Sequence, residues 1–99
     1  MKIKKDIIIL GNGDFPKTKR AVDLLNSDMF LLCCDGSAVE ATTHGYFPNL
    51  IIGDMDSLTD ELKDSYKDKI IQIVDQNSND LSKALNWAKD NKVESVTLL

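Results

Sequence analysis

Leu50-Ile51-Ile52-Gly53-Asp54-Met55-Asp56-Ser57 is an apolar run broken by a glycine, with two acids two positions apart behind it. A strand with one wet face alternates apolar and polar residues. A strand covered on both faces is apolar throughout, the habit of parallel sheets sandwiched between helices. The acids then fall in the turn that leaves the strand. In such sheets ligands bind beyond the carboxyl ends of the strands.

The same run recurs on either side. Ile7-Ile8-Ile9-Leu10 and Phe30-Leu31-Leu32-Cys33-Cys34 precede it; Ile70-Ile71-Gln72-Ile73-Val74 and Val96-Thr97-Leu98-Leu99 follow. Amphipathic stretches lie between them. Asp14-Phe15-Pro16 predicts a helix start, with Asp as cap and Pro in the first turn, and Ala21, Val22, Leu24 and Leu25 facing the sheet. Ser37-Ala38-Val39-Glu40 fits a capping box closed by Gly45. Thr59 and Asn79 can cap two more helices, the last carrying Leu81, Ala84, Leu85 and Ala88 at i, i+3, i+4 and i+7. Strands alternating with helices predict right-handed crossovers and a three-layer α/β/α sandwich with a mainly parallel sheet. Residues 1–99 read as one such domain. Its last apolar run stops without an exit loop, so the sequence is expected to be truncated.

The chain has 99 residues and a net charge of −4. That balance argues against a nucleic-acid binder, which needs a basic face. No apolar run approaches a membrane span, and the run after the basic Met1–Asp6 segment is too short for a signal peptide. Cys33 and Cys34 are adjacent, so they point to opposite faces of a strand and read as reduced buried thiols. A cytoplasmic protein is expected. His44 has no evident nucleophile partner and reads as structural or solvated, and Trp87 as packing.

Every turn leaving a strand carries an acid. The turns are Gly11-Asn12-Gly13-Asp14, Asp35-Gly36-Ser37, Gly53-Asp54-Met55-Asp56-Ser57 and Asp75-Gln76-Asn77-Ser78-Asn79-Asp80. They share one edge of the sheet, so Asp35, Asp54, Asp56 and Asp80 are expected to converge. Residues 54–80 hold eight acids against three lysines. Clustered carboxylates repel unless a cation or water compensates them. Hard oxygen donors suit Mg²⁺, which is commonly held by one or two carboxylates plus substrate phosphates. Gly11, Asn12, Gly13, Gly36 and Ser37 are placed to offer small side chains and backbone N–H groups to phosphate oxygens. Lys83, one turn after Asp80, is either a solvated partner of that acid or a phosphate contact.

These residues resemble thiamin pyrophosphokinases. Asp35-Gly36-Ser37-Ala38 matches that family's A-D-G-G-A-N stretch. Phe47-Pro48-Asn49-Leu50-Ile51-Ile52-Gly53-Asp54-Met55-Asp56-Ser57 matches P-D-x-I-x-G-D-F-D-S. The run from Asp75 to Leu85 matches D-Q-x-x-T-D-x-x-K-A-L, in the same order and at similar spacing. The resemblance implies Mg²⁺-dependent transfer of a pyrophosphoryl group from the co-substrate ATP to the hydroxyl of thiamine, giving thiamine diphosphate and AMP. It implies metal binding by Asp54, Asp56 and Asp80, with Asp35 as a fourth acid of the catalytic set. It implies nucleotide contacts at Ser57, Gln76, Asn79 and Lys83. It also implies a β-rich second domain and a homodimer in the full-length protein, so the piece from 1 to 99 is expected to be inactive alone. Ser37, Val39, Asn49, Met55 and Asn79 depart from the family's residues, and Val39 cannot make the polar contact of the Asn it replaces. The residues by themselves leave two alternatives: a receiver-like module with acids at its strand ends, or a nucleotide- and Mg²⁺-binding domain without catalysis.

Overall fold

The structure, a computed structural model, describes residues 6–11, 15–56, 58–73 and 79–99, the side chain of Asp80 excepted. All five apolar runs form strands: β1 (Asp6–Leu10), β2 (Phe30–Cys34), β3 (Leu50–Gly53), β4 (Ile70–Gln72) and β5 (Ser95–Leu98). They make one sheet in the order β4-β3-β2-β1-β5, and every neighbouring pair is parallel. Helices α1 (Lys19–Leu25), α2 (Ser37–Thr43), α3 (Asp60–Ser65) and α4 (Asp80–Asp90) join them in turn, with a 3₁₀ turn at Lys67–Lys69 before β4. The α/β sandwich expected from the sequence is the fold observed.

The two-residue period of a strand divides the core in two. Ile8, Leu10, Leu31, Cys33 and Ile51 pack with Leu25 of α1, Ala38 and Ala41 of α2, and Leu62 of α3. Ile7, Ile9, Phe30, Leu32, Cys34, Leu50 and Ile52 pack with Ala84 and Ala88 of α4. Handedness explains the split. From β1 to β4 each strand is laid beside the last in one direction, so right-handed crossovers put α1, α2 and α3 on one face. The return from β4 to β5 runs the other way and puts α4 on the opposite face. The helices that follow β2 and β3 thus lie on one side, and the helix that follows β4 on the other.

Local chemistry sets the helix ends. The side-chain oxygens of Thr59 and Asn79 accept from the N–H groups of Leu62 (3.2 Å) and Ser82 (2.8 Å), as their positions predict. After the C-cap His44, Gly45 adopts φ +85°; its N–H reaches Thr42 O and that of Tyr46 reaches Ala41 O, a Schellman closure.

Two expected starts are corrected. The first helix begins at Lys19, capped by the Thr18 hydroxyl (3.2 Å from Ala21 N), and not at Asp14-Phe15-Pro16. Phe15 lies outside any helix and stacks on the His44 ring at 4.1 Å. Asp14 itself lies outside the described residues. In α2 the N-cap is Gly36, and Ser37 is the first helical residue. Its hydroxyl turns inward to the carbonyls of Leu10 (2.8 Å) and Cys34 (2.6 Å), tying together the ends of β1 and β2.

The apolar stripe of α4 is also narrower than its sequence suggests. Ala84 and Ala88 are buried, while Leu81 and Leu85 stay 36% and 39% exposed. The sheet-facing side is completed by Lys83 and by Trp87, which stacks on Phe30 at 6.0 Å. Cys33 and Cys34 form no disulfide, are fully buried and lie on opposite faces, as adjacent strand residues must.

Candidate active site

β2 and β3 are hydrogen-bonded neighbours, with Cys34 opposite Ile52. The pairing continues one step past β2, where the Asp35 N–H donates to Ile52 O at 2.8 Å. Asp35 therefore stands at the carboxyl edge of the sheet beside Asp54, which leaves β3. The two carboxyls, 19 residues apart in sequence, are in hydrogen-bond contact. Like carboxyls that close disfavour each other's charge unless other groups compensate it. Asp35 is 2% exposed, and its Oδ1 is a buried oxygen that accepts no hydrogen bond.

The turn after β3 holds Asp54 in place. Its Oδ1 accepts the Asp56 N–H at 3.1 Å, an Asx turn. Its backbone carbonyl accepts from Gln72 Nε2 at 3.2 Å, and the Ile73 N–H donates to Gly53 O at 2.8 Å. Asp56 projects into solvent beside it. From the opposite face, the first turn of α4 brings Lys83, only 6% exposed, close enough for its charge to act on Asp54. Asp54 is held below its usual carboxylate range. The hydrogen bond with Asp35 is the largest cause, followed by the Asp56 N–H; the Lys83 ammonium adds to them, against the opposing effect of burial. The Asp54 carboxylate thus stands between a second carboxyl and the Lys83 ammonium.

Three of the expected site residues, Asp35, Asp54 and Lys83, are brought together, with Asp56 on the same turn. Asn79 caps α4 at that edge. Gly36 is the N-cap of α2, and the Gly11 N–H is engaged with Leu99 O at 3.3 Å, extending the β1–β5 pairing. The Ser37 hydroxyl, expected to meet phosphate, is turned to two carbonyls, because it stands in the first turn of α2 directly over the ends of β1 and β2. Asn12, Gly13, Ser57 and Gln76, and the side chain of Asp80, lie outside the described residues. Among the described residues no three His, Cys, Asp or Glu side chains gather into a metal cage, and no helix is long and apolar enough to cross a membrane. The donor set present is hard oxygen, suited to a cation such as Mg²⁺ that keeps most of its ligands as water or phosphate.

Gln72 was not singled out by the sequence. Its one signal is that it interrupts the apolar run Ile70-Ile71-Gln72-Ile73, at the position opposite Gly53.

Comparison with known proteins gives the chain's relatives. Residues 21–99 match the family model for the catalytic domain of thiamin pyrophosphokinase. Over 78 residues the chain is 31% identical to thiamin pyrophosphokinase 1 of Caenorhabditis elegans, covering 76% of this chain and 32% of that protein. The crystal structure of yeast thiamin pyrophosphokinase superposes with a TM-score of 0.67 at 25% identity, over 85% of this chain and 31% of that one. The Bacillus subtilis thiamine pyrophosphokinase structure shares the fold, with a TM-score of 0.74 at 18% identity, over 95% of this chain and 46% of that one. The chain therefore spans about a third of the curated relative it matches. The receiver-like reading finds no support among these matches.

Proposed function

The chain belongs to the thiamin pyrophosphokinase family, and from that footing we propose that its acid-lined edge serves the transfer of a pyrophosphoryl group from ATP to the hydroxyl of thiamine, yielding thiamine diphosphate and AMP. The observation that supports this most is the meeting of Asp35, Asp54 and Lys83 from three separate elements. Such a cluster has no evident use in packing. Lone carboxylates would repel a polyphosphate, so the acids must work through a cation. Asp54 and Asp56, with Asp80, would hold Mg²⁺, which when bound neutralises and orients phosphate oxygens.

The chain's own residues do the rest. Asp35 sets the charge and orientation of Asp54 from its buried position. The Lys83 ammonium offsets the local negative charge and presents N–H donors towards phosphate oxygens. Asn79 fixes the start of α4 and thereby the place of Lys83. Gly11, Asn12, Gly13, Gly36, Ser57 and Gln76 are taken as nucleotide contacts. Phosphoryl transfer asks for positioning and charge neutralisation more than covalent chemistry, which suits a site of carboxylates and a lysine. A cytoplasmic, homodimeric full-length protein completes the proposal; the family resemblance supports it, and the buried, unbridged Cys33 and Cys34 suit a reducing compartment.

The test is Asp54→Asn in the intact protein. It should cut Mg²⁺-dependent AMP formation from ATP and thiamine by at least ~100-fold, the scale of losing one preorganised charge-stabilising group. The melting temperature should fall only slightly, because Asn keeps the oxygen that accepts the Asp56 N–H and no apolar contact is lost. An unimpaired rate would remove the acid pair from the mechanism.

A further inference from the structure

Among the described residues only two side-chain-bearing positions adopt positive φ, Met55 (+70°) and Lys92 (+58°). Lys92 follows the C-cap of α4, where left-handed backbone is routine. Met55 closes no helix. It lies at the centre of the Asx turn between Asp54 and Asp56, and either aspartate would adopt this conformation at less cost than methionine. A left-handed residue other than glycine persists only where its surroundings over-determine it.

The surroundings are the core. Met55 is 5% exposed and packs with the cluster of Ile51, Cys33 and Leu58 beneath the three-helix face. Its carbonyl accepts the Leu58 N–H at 3.4 Å, so two buried apolar residues bracket the solvent-facing Asp56. Its outer side borders a cavity of about 390 Å³, shared with Lys63, Lys67, Ile70 and Gln72. Gln72 is the residue that holds the Asp54 carbonyl. The side chain is therefore pinned inward while the acids before and after it are turned to the sheet edge.

We propose that Met55 is a positioning residue: burial of its side chain holds the left-handed turn that fixes the Asp54 and Asp56 carboxylates for a divalent cation. The cation-binding part rests on the function proposed above; the anchoring of the turn does not. Two properties are required together, an apolar anchor of this length and a backbone able to enter the left-handed region. Met55→Ala removes the anchor. Met55→Val keeps an apolar group, but its β-branch disfavours the backbone. Met55→Leu keeps both.

The experiment uses the full chain and two readouts. Mn²⁺ affinity is measured by titration, and exchange of the Asp56 amide is followed in the metal-free protein. Met55→Ala and Met55→Val should each weaken Mn²⁺ binding by about 10–100-fold, the usual effect of losing a residue that orients metal ligands. Both should speed Asp56 amide exchange. Met55→Leu should restore both readouts to near wild type. Leu25→Ala, a truncation in the same core cluster, should lower the melting temperature without moving either. Wild-type Mn²⁺ affinity and Asp56 exchange in a folded Ala or Val variant would overturn the proposal. If Asp54→Asn leaves Mn²⁺ affinity unchanged, the cation reading fails instead, and Asp56 exchange in the metal-free variants decides the anchoring role.

Discussion

Cys33 lies at the middle of the sheet with no exposed surface, and burial pushes its thiol up to about 12 from an ordinary 9.0, against a smaller opposing effect of the Ser37 hydroxyl. A raised pKa in the folded state means that folding favours the neutral thiol. That contribution is complete below the unfolded value and is lost as pH climbs through the folded one. The protein should therefore lose stability between about pH 9 and 12, and Cys33→Ala should flatten that part of the profile; melts across this range check it. At pH 8 an alkylating reagent should leave Cys33 untouched until the protein is unfolded. The bland reading of the two cysteines was available from the sequence, since neighbours on a strand cannot bridge. The opposite is true of Lys83. Its place in the chain left a solvated surface partner and a site residue equally open. The crossover of α4 to the far face carries Lys83 under the edge near Asp54 and buries it, which sets aside the solvated reading.

The elements show where local reading succeeds. Asn79 and Thr59 were legible as caps because donor and acceptor lie three residues apart. Ser37 was misread for the converse reason: its hydroxyl is answered by Leu10 O, 27 residues earlier, and a capping-box pattern cannot reveal a partner that distant. The first helix was misplaced because Asp14-Phe15-Pro16 and Thr18 are both sound start signals, and packing of Phe15 against His44 favours the later one. Leu81 and Leu85 fitted a helical stripe, yet the helix is rotated so that Lys83 and Trp87 share its inner side. The cap of α4 fixes the start of the helix that brings Lys83 to the edge. Asn79→Ala should cost about 1 kcal/mol in urea unfolding. Asn79→Thr, which restores a side-chain acceptor, should recover most of it.

For the molecule as a whole, the continuous apolar runs were enough to fix a parallel sheet with helices on both faces, because nothing else buries such strands. The lateral order was not legible: no local feature of Val96 to Leu99 says that it pairs with β1. One sheet forms the wall between the two halves of the core, so neither half can be lost alone. Trp87 reports on the α4 side and Cys33 on the other. As the chain has one tryptophan, its fluorescence and the reactivity of the Cys33 thiol should follow the same urea midpoint, the mark of a two-state transition. Midpoints that separate would show the two faces unfolding independently.

The neighbourhood of β1 and β5 has a mechanical consequence. The two strands are parallel, with Ile7, Ile8 and Ile9 opposite Val96, Thr97 and Leu98. A pull on residue 6 draws β1 out through the amino edge, and a pull on residue 99 draws β5 out through the carboxyl edge. The load therefore runs along the strands and slides one past the other. Every hydrogen bond of the pair shares the strain and must rupture together, where a peeling geometry would break them in succession. Resistance to stretching is set by the rate of that concerted rupture and not by the equilibrium stability of the fold.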